Sequence, residues 1–178
     1  DPGRVPLSDG VGIVEAVGPD ARRFKVGDRV MGTFFPDWVR GDSYAGGVAQ
    51  MRGDHVDGFA ASFVTMSEAG FTAAPRNLDA VAAACLPCAG LTAWRALFVE
   101  GTLRPGDTVL VQGTGGVSLF ALQFARAAGA RVIATTGSPD KSGRLLALGA
   151  HAVIDRLDPD WSVAVRKEAP QGVDHVIE

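Results

Sequence analysis

Hydrophobic and polar positions follow two different rules along this chain. From Val11 to about Ala74, apolar residues come in short β-rich runs broken by turn residues. Gly12 to Val17 alternates loosely, Gly18-Pro19-Asp20 turns, and Val26-Gly27-Asp28-Arg29-Val30 turns into another strand. Phe59 to Met66 is predicted as a further strand. Frequent short strands of this kind predict a small β-barrel or sandwich. Thr33 to Asp57, rich in glycine, aspartate and aromatics, is read as a long excursion over the surface.

From Leu78 the pattern changes to helix and then to strict α/β alternation. Ala80 to Cys85 and Leu91 to Val99 are helical in composition, interrupted by Pro87 and Gly90. After a turn at Gly101 to Asp107, Thr108 to Gln112 is a nearly continuous apolar strand, as expected of one buried on both faces of a parallel sheet. Helices are predicted over Val117–Ala128, Lys141–Leu148 and Trp161–Glu168, the first two closed by Gly129 and Gly149. They alternate with strands at Arg131–Ala134, Ala152–Ile154 and His175–Ile177, a succession that builds a doubly wound sheet. The organisation is therefore a β-rich segment over 1–77, connecting helices over 78–100 and an α/β segment over 101–178. Both sheets are expected to be incomplete, as in a chain cut at both ends.

Between the first α/β strand and its helix lies Gly113-Thr114-Gly115-Gly116-Val117-Ser118. It follows the G-x-G-x-x-G pattern with Ser118 at the last position. The first glycine permits a tight turn, the second lets backbone approach a pyrophosphate, and the third position must be small so that helix and strand can pack. The helix N-terminus then presents N–H groups and a positive dipole end to phosphates. The strand before and the helix after make this a dinucleotide site rather than a chance glycine turn. An S-adenosylmethionine-binding methyltransferase shares such a loop. That class, like enzymes for unphosphorylated NAD, wants an acid at the end of the second strand. Here that strand ends Ala134-Thr135-Thr136-Gly137-Ser138, with no carboxylate before Asp140. A ribose bearing a 2′-phosphate suits Thr136, Gly137 and Ser138, with Lys141 as the cation, so the expected cofactor is NADPH.

Charge and composition narrow the partners. The net charge of −3 and the absence of a basic run argue against nucleic acid. No apolar run reaches the roughly 18 residues of a membrane span. Two cysteines cannot make a disulfide scaffold, so a cytoplasmic setting is expected. Cys85-Leu86-Pro87-Cys88 is read as a pair of buried apolar cysteines rather than a redox centre. His55 is read as a solvated loop residue, and His151 and His175 carry no chemistry. Phe34, Phe35, Trp38 and Tyr44 either wall a substrate pocket or pack under the long loop.

Three runs, in this order, carry a family resemblance: Val26-Gly27-Asp28-Arg29-Val30, Leu86-Pro87-Cys88-Ala89-Gly90-Leu91-Thr92-Ala93-Trp94, and Gly106 to Val111 leading into the glycine loop. Together they resemble the zinc-type alcohol dehydrogenase and quinone oxidoreductase superfamily of medium-chain dehydrogenases/reductases. The resemblance covers nearly the whole chain. It implies a partial GroES-like barrel domain with the substrate site, an incomplete Rossmann domain, and cofactor in the cleft between. It also implies a homodimer or homotetramer. Ser8 stands where zinc-bearing members have a histidine ligand, Asp9 where they have the following glutamate, and Cys88 falls on a zinc cysteine. Serine is a poor substitute for imidazole, so no zinc is expected. Thr92 is implied at the nicotinamide end of the cleft, with Ser8 and Asp9 approaching from the barrel to orient substrate or pass a proton. The function expected is a zinc-free, NADPH-dependent oxidoreductase transferring hydride to a small carbonyl, quinone or enone. The alternatives are a zinc enzyme with an altered metal site and a non-catalytic NADPH-binding protein.

Overall fold

The structure, a computed structural model, describes residues 3–38, 41 and 50–178. It divides into two compact units, one ending at Cys88 and the other beginning at Ala89.

In the first unit, strands β1 (Val11–Ile13), β2 (Arg29–Gly32) and β3 (Phe71–Ala73) form an antiparallel sheet in that order. The register pairs Gly12 with Val30 and Met31 with Thr72. The turn into β2 needs Gly27 at φ +90°, where glycine carries no steric penalty. Its amide bonds to Val14 O at 2.9 Å, joining the two strands beyond β1. Met31, Ala74 and Ala83 form a small core with Val11, Leu78 and Leu86. Ala83 belongs to helix α1 (Ala80–Ala84), whose N-cap Asp79 accepts the Ala82 amide at 2.7 Å.

Phe59 to Met66, expected as a strand, is irregular. The amides of Gly58, Phe59 and Ala60 bond instead to the carbonyls of Val5, Leu7 and Pro6. That partner segment has a proline and a left-handed residue, Leu7 at φ +76°, so no regular ladder can form along it. Cys85 also departs from expectation. It is exposed on the last turn of α1, its thiol 3.5 Å from Val81 O, while Cys88 is half-buried.

In the second unit, helical turns run from the π-type turn Leu86–Gly90, in which the boundary falls, through α2 (Leu91–Trp94) to a second π-type turn, Arg95–Glu100. Strands β4 (Thr108–Val111), β5 (Arg131–Thr136), β6 (Ala152–Asp155) and β7 (His175–Ile177) build a parallel sheet in the order β6-β5-β4-β7. Helices α3 (Gly116–Ala127), α4 (Ser142–Ala147) and α5 (Trp161–Glu168) connect them. Leu97, Val109, Leu122 and Val132, all essentially inaccessible, centre the core on one face. Leu110, Ile133, Val165 and Ala169 pack on the other. This is the Rossmann arrangement expected, and the smaller antiparallel sheet is consistent with part of a GroES-like domain. Among the described residues no helix is long and apolar enough to cross a membrane.

Candidate functional site

The crevice-forming end of a parallel sheet is the carboxyl end of its strands, and in the second unit the glycine loop lies there. Gln112, just past β4, donates its amide to Ile177 O at 2.8 Å. The chain then turns at Gly113, with φ +82°. The Gly113 amide donates to Thr135 Oγ1 at 3.2 Å, which ties the loop to the end of β5. Gly115 is the N-cap of α3 and has no side chain to close it. The first bonded amide of the helix is that of Leu119, to Gly115 O at 3.0 Å. Gly116, Val117 and Ser118 therefore have no carbonyl within the helix to receive their amides.

Different constraints act on the loop glycines. A Cβ placed at Gly113 or Gly115 would meet nothing within 4 Å, so the space beside them is open. One at Gly116 would lie 3.2 Å from the Ala89 Cβ. Ser118 is buried, and its hydroxyl donates to Gln112 O at 2.9 Å. A glycine in that place would leave the carbonyl without this bond. Val117 is half-buried against the core. Thr114 lines a depression of about 190 Å³ together with Leu119, Lys141, Arg144 and Leu145. Lys141 Nζ stands 3.4 Å from Thr114 Oγ1.

At the end of β5, Thr136 is buried and its hydroxyl is committed locally. It accepts the Ser138 amide at 3.1 Å and lies 3.2 Å from Ser138 O, closing the turn through Gly137. Against Gly137 lies a residue that sequence reasoning missed. A Cβ there would stand 3.1 Å from Nε of Arg156 and 3.5 Å from its Nη2. Arg144 was likewise not anticipated. No motif marks either arginine; only the pairing of β5 with β6 and the phase of α4 bring them here.

In the first unit, Ser8 and Asp9 follow the left-handed Leu7, and both are half-buried. The approach of Gly53 and Gly58 holds this segment. A Cβ at Gly58 would be 2.1 Å from Leu7 O. Burial pushes the Asp9 carboxyl above its ordinary pKa, partly opposed by a hydrogen bond from the Cys88 amide. Its Oδ1 is buried and has no partner among the described residues. Burial, and then the charge of Asp9, push the Cys88 thiol up. Thr92 is exposed on α2, in the second unit, and α2 packs against α3.

These donors do not fit zinc. Ser8 offers only an alcohol. Among the described residues no group of three or more His, Cys, Asp or Glu side chains could hold a metal ion.

Of the other side chains considered, His55 is exposed and its Nδ1 accepts the Met51 amide at 3.3 Å. Phe34 and Phe35 meet edge to face with centroids 4.7 Å apart, and Phe35 lies 6.1 Å from Trp38. Tyr44 falls outside the described residues.

Comparison with known proteins agrees with both halves. Residues 1–76 match the family described as "Alcohol dehydrogenase GroES-like domain", and residues 116–178 match "Zinc-binding dehydrogenase". A zinc-type alcohol dehydrogenase-like protein of Schizosaccharomyces pombe is 42% identical over 178 residues, 98% of this chain and 51% of that protein. The quinone oxidoreductase of Homo sapiens is 32% identical over 97% of this chain and 47% of its own length. A solved protein of Sinorhizobium meliloti 1021, described as a candidate alcohol dehydrogenase, superposes with TM-score 0.92 at 47% identity. That match covers 100% of this chain and 53% of the solved one. The chain belongs to the zinc-type alcohol dehydrogenase and quinone oxidoreductase superfamily of NAD(P)-dependent oxidoreductases. It spans about half the length of these relatives.

Proposed function

We propose that the full protein is an NADPH-dependent reductase of small carbonyls, quinones or enones that works without zinc. The observation that carries this reading is the pairing of an open glycine loop with a β5 terminus that has no carboxylate. Gly113, Gly115 and the first amides of α3 leave room and donors for a pyrophosphate. Thr136, locked into its own turn, presents no negative charge to a 2′-phosphate. The quinone oxidoreductase among the relatives favours the substrate class.

When bound, the nicotinamide supplies the hydride. The chain's own residues then have three tasks. The loop Gly113–Val117 holds the phosphates with Lys141 beside it, and Gly137 and Ser138 receive the adenosine end. Thr92 positions the nicotinamide end through its hydroxyl. Asp9 supplies the proton that the product oxygen or carbon needs, with Ser8 orienting the substrate. Its half-buried, raised carboxyl, with an Oδ1 that has no partner among the described residues, suits a donor. The full protein is proposed to act as a homodimer or homotetramer in the cytoplasm.

Turnover of full-length, metal-stripped protein on a panel of quinones, enones and aldehydes tests the reading, with NADPH and NADH compared. Reduction with NADPH that survives chelation is the expected result. Activity that returns only with added zinc would establish the metal-dependent alternative, and cofactor binding with no turnover on any substrate would establish a non-catalytic one.

A further inference from the structure

We propose that Arg156 is the residue that discriminates NADPH from NADH, reading the 2′-phosphate across Gly137, while Lys141 serves both cofactors from the glycine-loop side. This rests on the dinucleotide reading above and alters the division of labour that the sequence suggested.

The backbone brings Arg156 to the place where an adenosine ribose is read. Thr136 pairs with Asp155 at the end of the β5–β6 ladder. The ladder runs one residue further, because the Arg156 amide donates to Thr136 O at 2.9 Å. Arg156 is thereby fixed beside the turn that ends β5. Its guanidinium folds back onto that turn, with Nε, Nη2 and Cζ at 3.1, 3.5 and 3.6 Å from the position of a Gly137 Cβ. The missing side chain at Gly137 is what makes room for it. Arg156 is exposed and makes no ion pair among the described residues, so its charge is available to a ligand. Its neighbour Asp155 already accepts the Leu157 amide through Oδ1 at 2.9 Å.

Lys141 is held elsewhere. Its Nζ reaches Thr114 Oγ1, inside the glycine loop, and it lines a depression with Arg144 there. A cation in that place meets features common to both cofactors. The planar guanidinium, by contrast, offers a fork of donors that matches phosphate geometry, and arginine is charged at every working pH.

The test is a set of binding titrations on the full-length protein with NADPH, NADH, adenosine 2′,5′-bisphosphate and 5′-AMP. Arg156→Ala is expected to weaken NADPH and the bisphosphate by about tenfold or more, leaving NADH and 5′-AMP nearly unchanged. Arg156→Lys should retain part of the preference. Gly137→Ala, whose methyl crowds the guanidinium by a few tenths of an ångström, should cost a smaller part of the same preference. Lys141→Ala should weaken NADPH and NADH alike. Equal losses of both cofactors in Arg156→Ala, no loss at all, or a loss confined to NADPH in Lys141→Ala would each overturn the proposal. If the unmodified protein binds both cofactors equally, the NADPH reading itself falls. If it prefers NADPH and Arg156→Ala keeps that preference, only the assignment of Arg156 falls.

Discussion

Asp9 shows how one side chain can be costly to the fold and useful to the site. Its carboxyl is raised because burial opposes ionisation, so the folded state holds the proton more firmly than the unfolded chain does. A group of this sign contributes stability below its unfolded pKa and loses it as pH rises through the folded value. Above the folded value the ionised, half-buried carboxylate is a cost. Asp9→Asn is therefore expected to raise the melting temperature at neutral pH, with the gain shrinking in acid. As proton donor, the same residue should matter to rate: the substitution should lower kcat for carbonyl reduction by about 100-fold or more and remove the fall in rate on the alkaline side of its pKa. Melting curves and pH–rate profiles on the same variant separate the two effects. A variant that gains stability and keeps its rate would strip Asp9 of its catalytic role.

Among the structural elements, glycines fix several close approaches, and they do so for different reasons. Phe59 is wedged against Gly10 and Gly32; a Cβ at Gly32 would lie 1.9 Å from the Phe59 Cζ. Overpacking of this kind costs roughly 1–3 kcal/mol. Gly32→Ala should be destabilising by about that much, and Phe59→Ala in the same chain should relieve part of the loss, as coupled neighbours do. In the phosphate loop the expectations divide. Gly113→Ala forces a left-handed residue at φ +82° and should cost about 1–2 kcal/mol of stability. Gly115 has φ −75° and empty space beside it, so Gly115→Ala should leave melting unchanged while weakening NADPH and NADH together. Thermal melts beside cofactor titrations check both. The elements also show where pattern stopped being informative. β5 was expected to end at Ala134 but continues through Thr136, because β6 offers partners as far as Asp155. Among the described residues the run Phe59–Met66 meets only the irregular segment at Val5–Leu7 and forms no ladder, and Phe63 is left 74% exposed.

For the whole chain, the exposed surface governs behaviour in solution. Gly10 to Ala21 and Ser62 to Phe71 contribute to the lining of a trough of about 940 Å³ in the first unit, with Ile13 and Phe63 exposed along it. In the second unit β7 pairs with β4 on one side only. Apolar surface and an unpaired strand edge both favour association. These 178 residues expressed alone should associate, as light scattering would show; a monodisperse preparation would contradict this. The opposite end of the parallel sheet holds a carboxylate–imidazole contact. Asp107 lies 3.1 Å from His175 Nε2, and its pKa is lowered chiefly by the Arg104 amide and then by His175. A lowered carboxylate contributes stability above its unfolded pKa and loses it as pH falls through the folded one. Asp107→Asn should therefore narrow the difference in melting temperature between neutral pH and strong acid.

The glycine loop was legible in the sequence because its chemistry is local: a turn, a close approach and a helix start all fall within Gly113–Ser118. So were the strand–helix alternation, set by apolar runs and by Gly129 and Gly149, and the absence of an acid after β5. Ser8 could be compared with a histidine position because the motif around it is contiguous. What only the tertiary structure decided is pairing across long separations. The Asp155–Thr136 register carries Arg156 onto Gly137, and α4 turns Arg144 toward Thr114. Gly58 pins Leu7, and the Cys88 amide reaches Asp9 from the far end of the first unit. None of these contacts leaves a period in the sequence, because each depends on how separate elements pack and not on how any one of them folds.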